Sequence, residues 1–405
     1  MEQSDLCGKL FFFPQSDYAP SPVTLVLSAL AFLLLLTLLV LVHELGHFAV
    51  AKWAKVRVEE FGFGLPPRAK KLFLWDSTLF SLNWIPFGGF VRLQGETSLD
   101  PGERSREGSF AAASIPARLL ILLAGVFMNF LLAITLLTLG FSLWHWVPTY
   151  LSLDDLRRGR ERQEVDVEWG IFVSEVIPGD SASRAGVASG GLLAAINGTA
   201  VTTVHEVLAL QAGQSSLTYT ILYPPPGAGE RAEFLEEKTF RVGVREGKTG
   251  VALSEFALHI AGRKHPLPRA FSLAWRETGV VTIQTVRGAG MLLTSLLSEW
   301  RVPQGITGIV GIAQLTHASI QEGFMTYLRL VALLSLSLAA LNILPFPALD
   351  GGRMLFVLIE MLTGRPVYRR LEVVTNGMGF LLILFLIIAV TLNDILRIFS
   401  SSPLL

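Results

Sequence analysis

The pentapeptide His43-Glu44-Leu45-Gly46-His47 closes an uncharged apolar run covering residues 22–42. A helix of that length crosses about 30 Å of hydrocarbon at about 1.5 Å per residue. If the helix continues through the pentapeptide, His43 and His47 lie one turn apart on one face, because residues four apart overlie each other. Two imidazoles so placed reach one Zn²⁺ at about 2.0–2.1 Å. Glu44 projects beside them, where a carboxylate can take a proton from water and pass it to a leaving amine. The motif alone also fits a helix end whose histidines hydrogen-bond at a membrane interface, since short patterns match by chance.

The rest of the composition points the same way as the apolar run. Of 405 residues, 51% are hydrophobic and only 16% charged, where a soluble protein carries about 25%. The deficit is concentrated in several runs, which implies a multi-span membrane protein. Lys and Arg together number 33, as do Asp and Glu. Zero net charge and the absence of a long basic run argue against nucleic acid as a partner. Cys7 is the single cysteine, so no intramolecular disulfide or cysteine metal cluster can form. Residues 1–21 lack the charged start and cleavage site of a signal peptide, so the run at 22–42 reads as a retained span. No function attaches to that tail.

Lys52, Lys55, Arg57, Arg68, Lys70 and Lys71 follow the first span and place its end in the cytoplasm, with the N-terminus outside. Residues 58–93 alternate as short strands at Lys71-Leu72-Phe73-Leu74-Trp75 and Leu79-Phe80-Ser81-Leu82-Asn83-Trp84, with turns at the Gly and Pro clusters between them. Two readings fit: a sheet dipping into the membrane with its edge facing protein or water, or a cytoplasmic loop with interfacial aromatics. Residues 97–109 read as a flexible polar loop. A second span at 119–147 ends in Trp144 and Trp146 and carries Gly125-Val126-Phe127-Met128-Asn129. Gly125 permits close helix contact, and Asn129 is a polar group that glues helices together for roughly 1 kcal/mol.

From 151 to 262 the composition is that of a soluble, β-rich domain, expected outside the cytoplasm. Strands are predicted at 171–176, 217–223 and 240–244, a helix at 204–210, and a turn at Pro224-Pro225-Pro226-Gly227. Residues 263–322 read as amphipathic and interfacial. The run at 271–297 is interrupted by Arg276, Glu277 and Arg287, each costing about 2.5–3.5 kcal/mol at a bilayer centre, which favours a surface-lying helix. A third span at 327–344 and a fourth at 373–392 flank Arg353, Arg365, Arg369 and Arg370, again a cytoplasmic signature. The expected architecture is therefore an α-helical polytopic membrane protein with four spans, both termini outside. The membrane core comes in two parts, 22–150 and 323–405, around the inserted domain.

Two histidines leave zinc under-coordinated, because a catalytic site takes three protein ligands and a water. The third span ends in Asn342-Ile343-Leu344-Pro345-Phe346-Pro347-Ala348-Leu349-Asp350-Gly351-Gly352. Pro345 and Pro347 break a regular helix, and irregular backbone at membrane depth must lie in protein or beside water. Asp350 arrives at the depth of His47, since the first and third spans run the same way. A carboxylate there is a functional candidate; it also fits an interfacial cap for the helix that follows.

These motifs closely resemble the site-2 family of intramembrane zinc metalloproteases, and within it the bacterial regulator-of-sigma-factor proteases with a single PDZ domain. The resemblance covers nearly the whole chain from the first span. It rests on His43-Glu44-x-x-His47, Gly88 to Val91, Gly125-x-x-x-Asn129, and Asn342-x-x-Pro345 followed by Leu349-Asp350-Gly351. It implies His43, His47 and Asp350 as ligands of one Zn²⁺ and Glu44 as general base. Asn342 matches the residue that binds substrate backbone, and Asn129 is a weaker match to a residue supporting the active site, grouped with it as substrate-binding. Residues 61–93 resemble a re-entrant sheet that receives substrate as an added strand. Ala185-Gly186-Val187 through Ile196-Asn197-Gly198 resembles a PDZ domain, with Gly190-Gly191 where Gly-Asp is usual. The implied activity is cleavage within or near the transmembrane segments of single-pass membrane proteins already cut by another protease. Anti-sigma factors or signal-peptide remnants in a bacterial inner membrane are examples. Rival readings are a catalytically silent scaffold whose outer domain binds partners, and a metal-ion transporter. Glu44, unneeded as a ligand, counts against the first; the scarcity of further acidic or histidine residues along the spans counts against the second.

Overall fold

The computed structural model describes residues 22–96, 99–223, 236–245, 247–299, 301–303 and 305–401. The N-terminal tail with Cys7, the expected Pro224–Gly227 turn and two residues of the 97–109 loop lie outside these. The chain divides into two units, one running to Trp144 and resuming at His265, the other His145–Lys264.

Helix α1 (Pro22–Trp53) carries the apolar run through His47 without a break, as the pentapeptide reading requires. Strands β1 (Val58–Trp75) and β2 (Thr78–Leu93) follow as a hairpin. Its turn residues Asp76 and Ser77 both have positive φ, the backbone that matches strand twist in a two-residue hairpin. The two strands are much longer than the short segments expected, because each folds back on itself. Phe80 pairs with Phe73 on one side and Phe61 on the other, and Phe61 pairs in turn with Val91. Four rungs result, with residues 89–93 at the edge. Phe61 and Phe73 stack on Phe80 at 5.4 and 4.6 Å, and Phe48 of α1 meets Phe61 at 5.5 Å. These rings pin the sheet to α1. Helix α2 (Ile115–Leu143) runs back antiparallel to α1.

The second unit comprises α3 (Leu153–Glu161), β3 (Val165–Val176), β4 (Leu192–Ile196), β5 (Thr199–Ala200), α4 (Val204–Gln211), β6 (Ser216–Tyr223), β7 (Glu236–Gly243) and β8 (Val251–Gly262). Its sheet has the order β7-β6-β4-β3-β8, with β5 beside β4 and every pairing antiparallel. Alternate residues of β6 point inward, so that Leu217, Tyr219 and Ile221 join Ile171, Leu193 and Val242 in the core. The buried Tyr219 hydroxyl accepts from Gln211 Nε2 at 2.6 Å and meets Thr249 Oγ1 at 3.0 Å, so its polar end is satisfied. Thr203 and Glu206 form a capping box at the start of α4.

The first unit resumes with α5 (Leu267–Ser298), α6 (Ile309–Glu322), α7 (Phe324–Asn342), α8 (Asp350–Thr363) and α9 (Arg369–Ser401). Among the described residues, α1, α2, α5, α7 and α9 are long and apolar enough to cross a membrane. That is one more than the four expected, and the addition is α5. It is one continuous helix packed on α2 and α7: Val281 sits with Ala133 and Leu336, and Trp275 meets Phe130 edge-on at 5.8 Å. The charge at Glu277 is 1% exposed and attracted to Arg329 of α7, so it faces protein instead of lipid.

The start of α5 adjoins the end of α2 through His265 N–H donating to the Phe141 carbonyl at 3.0 Å. The start of α7 adjoins the first turns of α1 through Tyr327 donating to the Ala31 carbonyl at 3.0 Å. Helices α1 and α7 therefore run parallel and end together, and the α5–α6 segment makes no net crossing. Asp394 of α9 accepts the N–H groups of Gly308 and Gly311, both at 2.9 Å, capping α6.

Candidate active site

The parallel ends of α1 and α7 bring the two distant motifs together. His43 Nε2 lies 2.8 Å from Asp350 Oδ2, His47 Nε2 lies 3.4 Å from the same oxygen, and the two Nε2 atoms are 3.1 Å apart. A tetrahedral zinc site with bonds of about 2.0–2.1 Å has donor–donor edges of about 3.3 Å, so one ion fits among these three atoms. The donor set, two imidazoles and a carboxylate, is that of hydrolytic zinc. His47 Nδ1 lies 2.8 Å from the Ile121 carbonyl. A carbonyl only accepts, so Nδ1 carries the proton and the Nε2 lone pair faces the ion position.

Local chain geometry makes this convergence possible. After α7 the chain turns irregularly through Pro345 and Pro347, and Ala348 has φ +72°. Its N–H donates to Asn376 Oδ1 of α9 at 3.1 Å, which holds an otherwise costly conformation. Asp350 then opens α8. A Cβ on Gly351 would overlap the Leu344 and Ile343 carbonyls, so only glycine lets α8 begin this close to the preceding turn. On the other side of the site, α1 and α2 approach at Gly46 and Gly125. A side chain on Gly46 would strike the Ala124 backbone, and one on Gly125 would enter the space of both imidazoles.

A cavity of about 460 Å³ opens over these groups, lined by His43, Glu44, His47, Asp350, Asn342 and the sheet edge from Phe90 to Leu93. Asn342, the last residue of α7, thus reaches the cavity wall. Asn129 does not line this cavity. It is fully buried on α2, with Nδ2 3.4 Å from His43 Nδ1, behind the imidazole. The structure brings the other five sequence candidates to one place.

Two features had no sequence signature. Glu44 Oε2 accepts the Val91 N–H at 3.0 Å; a main-chain donor leaves no trace in the residue type. Arg353, one turn beyond Asp350, lines the same cavity and pairs with the Glu96 carboxylate. A lone arginine after the Asp-Gly-Gly turn was legible only as a cytoplasmic charge. Farther out, Arg118 of α2 grips Glu360 of α8 through two bonds of 2.9 and 2.7 Å, tying the helix that carries Asp350 to the helix that backs the histidines.

The profile of Peptidase family M50 matches residues 31–386. Several similar proteins are named "putative zinc metalloprotease". One from Rhizobium meliloti is 28% identical over 91% of this chain and 96% of its own. One from Clostridium perfringens is 29% identical over 90% and 97%, and one from Campylobacter jejuni 27% identical over 92% and 94%. The match takes in both halves of the metal cluster and the sheet and helices that join them. On that extent the chain belongs to peptidase family M50, the site-2 protease family of zinc-dependent intramembrane peptidases.

Proposed function

We propose that His43, His47 and Asp350 hold the catalytic zinc and that Glu44 is the general base, acting on peptide bonds in or beside the transmembrane segments of single-pass membrane proteins. The observation that carries this reading is the approach of the Asp350 carboxylate to both imidazoles, 2.8 and 3.4 Å away. When bound, zinc supplies Lewis-acid polarisation of the scissile carbonyl and draws the pKa of water towards about 7. Glu44 takes the proton of the attacking water and returns it to the leaving amine. Its second oxygen is engaged by Val91 N–H, which fixes the rotamer that points the free oxygen at the cavity.

A helical substrate hides its scissile carbonyl in its own hydrogen bonds and must unwind to be cut. The edge at residues 89–93 offers main-chain partners to such a strand, and the Asn342 amide at the opposite wall offers a donor and an acceptor. The Arg353–Glu96 ion pair stands at the cavity margin. The positive-inside pattern supports a cytoplasmic site, with the unit His145–Lys264 on the outer face of a bacterial inner membrane. There a PDZ-like domain would screen substrates by the bulk of their outer portions, so that prior trimming by another protease admits them.

The test is Glu44→Gln in the full chain. Zinc content is expected to match the parent while cleavage of membrane-protein substrates disappears, and comparison of the two membrane proteomes identifies which proteins accumulate uncut. Normal cleavage by the zinc-loaded Gln protein rejects the assignment of the base. Loss of zinc-independent partner binding instead of turnover would favour a scaffold.

A further inference from the structure

The zinc reading leaves one buried group unexplained. Asn129 is fully buried, yet its Oδ1 has no hydrogen-bond partner, while its Nδ2 stands 3.4 Å from His43 Nδ1. As placed, the amide would donate to an unprotonated Nδ1. The His43 proton would then sit on Nε2, in the space between Asp350 and His47 that the metal needs. The two ends of an amide are nearly the same size, and a half-turn about χ2 exchanges them without disturbing the packing. Turned so, Oδ1 accepts from Nδ1–H, and the Nε2 lone pair faces the ion.

We propose that Asn129 is a positioning residue that holds the His43 ring in its metal-binding tautomer, as the Ile121 carbonyl holds His47. The spacing supports this. Ile121 and Asn129 are two turns apart on α2, and they meet two histidines one turn apart on α1, where the helices cross at Gly46 and Gly125. One helix thus supplies both outer partners, one from its main chain and one from a side chain. Ser335 of α7 donates to the Asn129 carbonyl at 2.9 Å, which fixes the backbone that carries the amide. Asn129 accordingly acts through His43 and does not touch substrate.

This inference rests on the proposed zinc site, and its test separates the two. In the full-length protein, zinc affinity is measured by competition with a chelator, and the zinc-free melting temperature is recorded alongside. His43→Ala reports on the site itself: zinc retained there overturns the zinc reading, whatever happens at 129. Given a functioning site, Asn129→Leu, of similar volume but without an acceptor, is expected to weaken zinc by about 10–100-fold, whereas Asn129→Asp, which keeps an acceptor and loses the donor, stays within about 3-fold of the parent or binds tighter. A Leu variant that binds zinc like the parent overturns the proposal. So does an Asp variant as weak as Leu, because that result assigns the function to the amino group. If Leu also lowers the zinc-free melting temperature, the Asp variant decides alone.

Discussion

Gly125→Ala is the smallest change that should empty the metal site while sparing the fold. The added methyl would lie 2.7 Å from His47 Cε1 and 2.8 Å from His43 Cε1, and nearer still to His47 Nε2. Carbon atoms rest at about 3.5–4.0 Å, so both rings must retreat by about 1 Å. Metal–ligand bonds tolerate about 0.2 Å, and a misplacement of about 1 Å at a reacting centre costs about 100-fold in rate. Against this, alanine is about 1 kcal/mol better than glycine within a helix, while overpacking costs about 1–3 kcal/mol. The net change in folding stability is therefore a loss of about 0–2 kcal/mol, small beside the loss of function. Gly288→Ala on α5 is the control, because its methyl meets nothing within 4 Å; it should retain zinc and activity and gain up to about 1 kcal/mol. The assays are zinc per chain by elemental analysis, cleavage of a membrane substrate, and zinc-free melting. Gly125→Ala protein with full zinc and parental turnover would refute the argument that this helix crossing shapes the site.

Other outcomes follow from the same geometry. Asp350→Asn keeps the shape of the third ligand but removes its charge, so purified protein should carry substoichiometric zinc with little change in zinc-free melting. Glu360→Ala strands the Arg118 guanidinium in a setting where its side chain is 10% exposed. It should cost about 3 kcal/mol, measured by thermal unfolding, and release α8 with its zinc ligand. Thr203→Ala removes the α4 cap and should lower stability of the second unit by about 1 kcal/mol. The Glu206 carboxyl is held below the usual carboxylate range by the N–H groups of Thr202 and Thr203. The stability it lends is complete above the unfolded value of about 4.3 and fades as pH falls through its lower folded value. Acid titration should therefore show Glu206→Gln and parent converging at low pH; a gap that persists there would contradict this.

How far the sequence could be read depended on whether the signal was local. The His43–His47 face follows from helical periodicity, and Asp350 could be matched to it because parallel spans end at one depth. The surface-lying reading of α5 weighed each charge alone, whereas Glu277 is answered from α7, an element far along the chain, and the helix is long and apolar enough to cross. The hairpin was cut short because Phe61-Gly62-Phe63-Gly64 and Pro66-Pro67 resemble turns. They lie inside β1, where a fold-back leaves some backbone groups outside the ladder and proline is tolerated. Asn129 advertised a polar contact without its direction, since an amide in an apolar run looks alike whether it serves a neighbouring helix, a substrate or an imidazole. The Val91 donor had no residue-level mark at all.

Asp350, the proposed third ligand, lies 307 residues beyond His43, and on that assignment the separation has a consequence for biosynthesis. A ribosome has released most of the polypeptide before the third ligand exists, so the nascent enzyme passes through the translocon with only half a binding site. Hydrolytic competence is withheld until the closing helices have inserted and docked. On the proposed zinc assignment, a product cut short before Asp350 would lack a complete site.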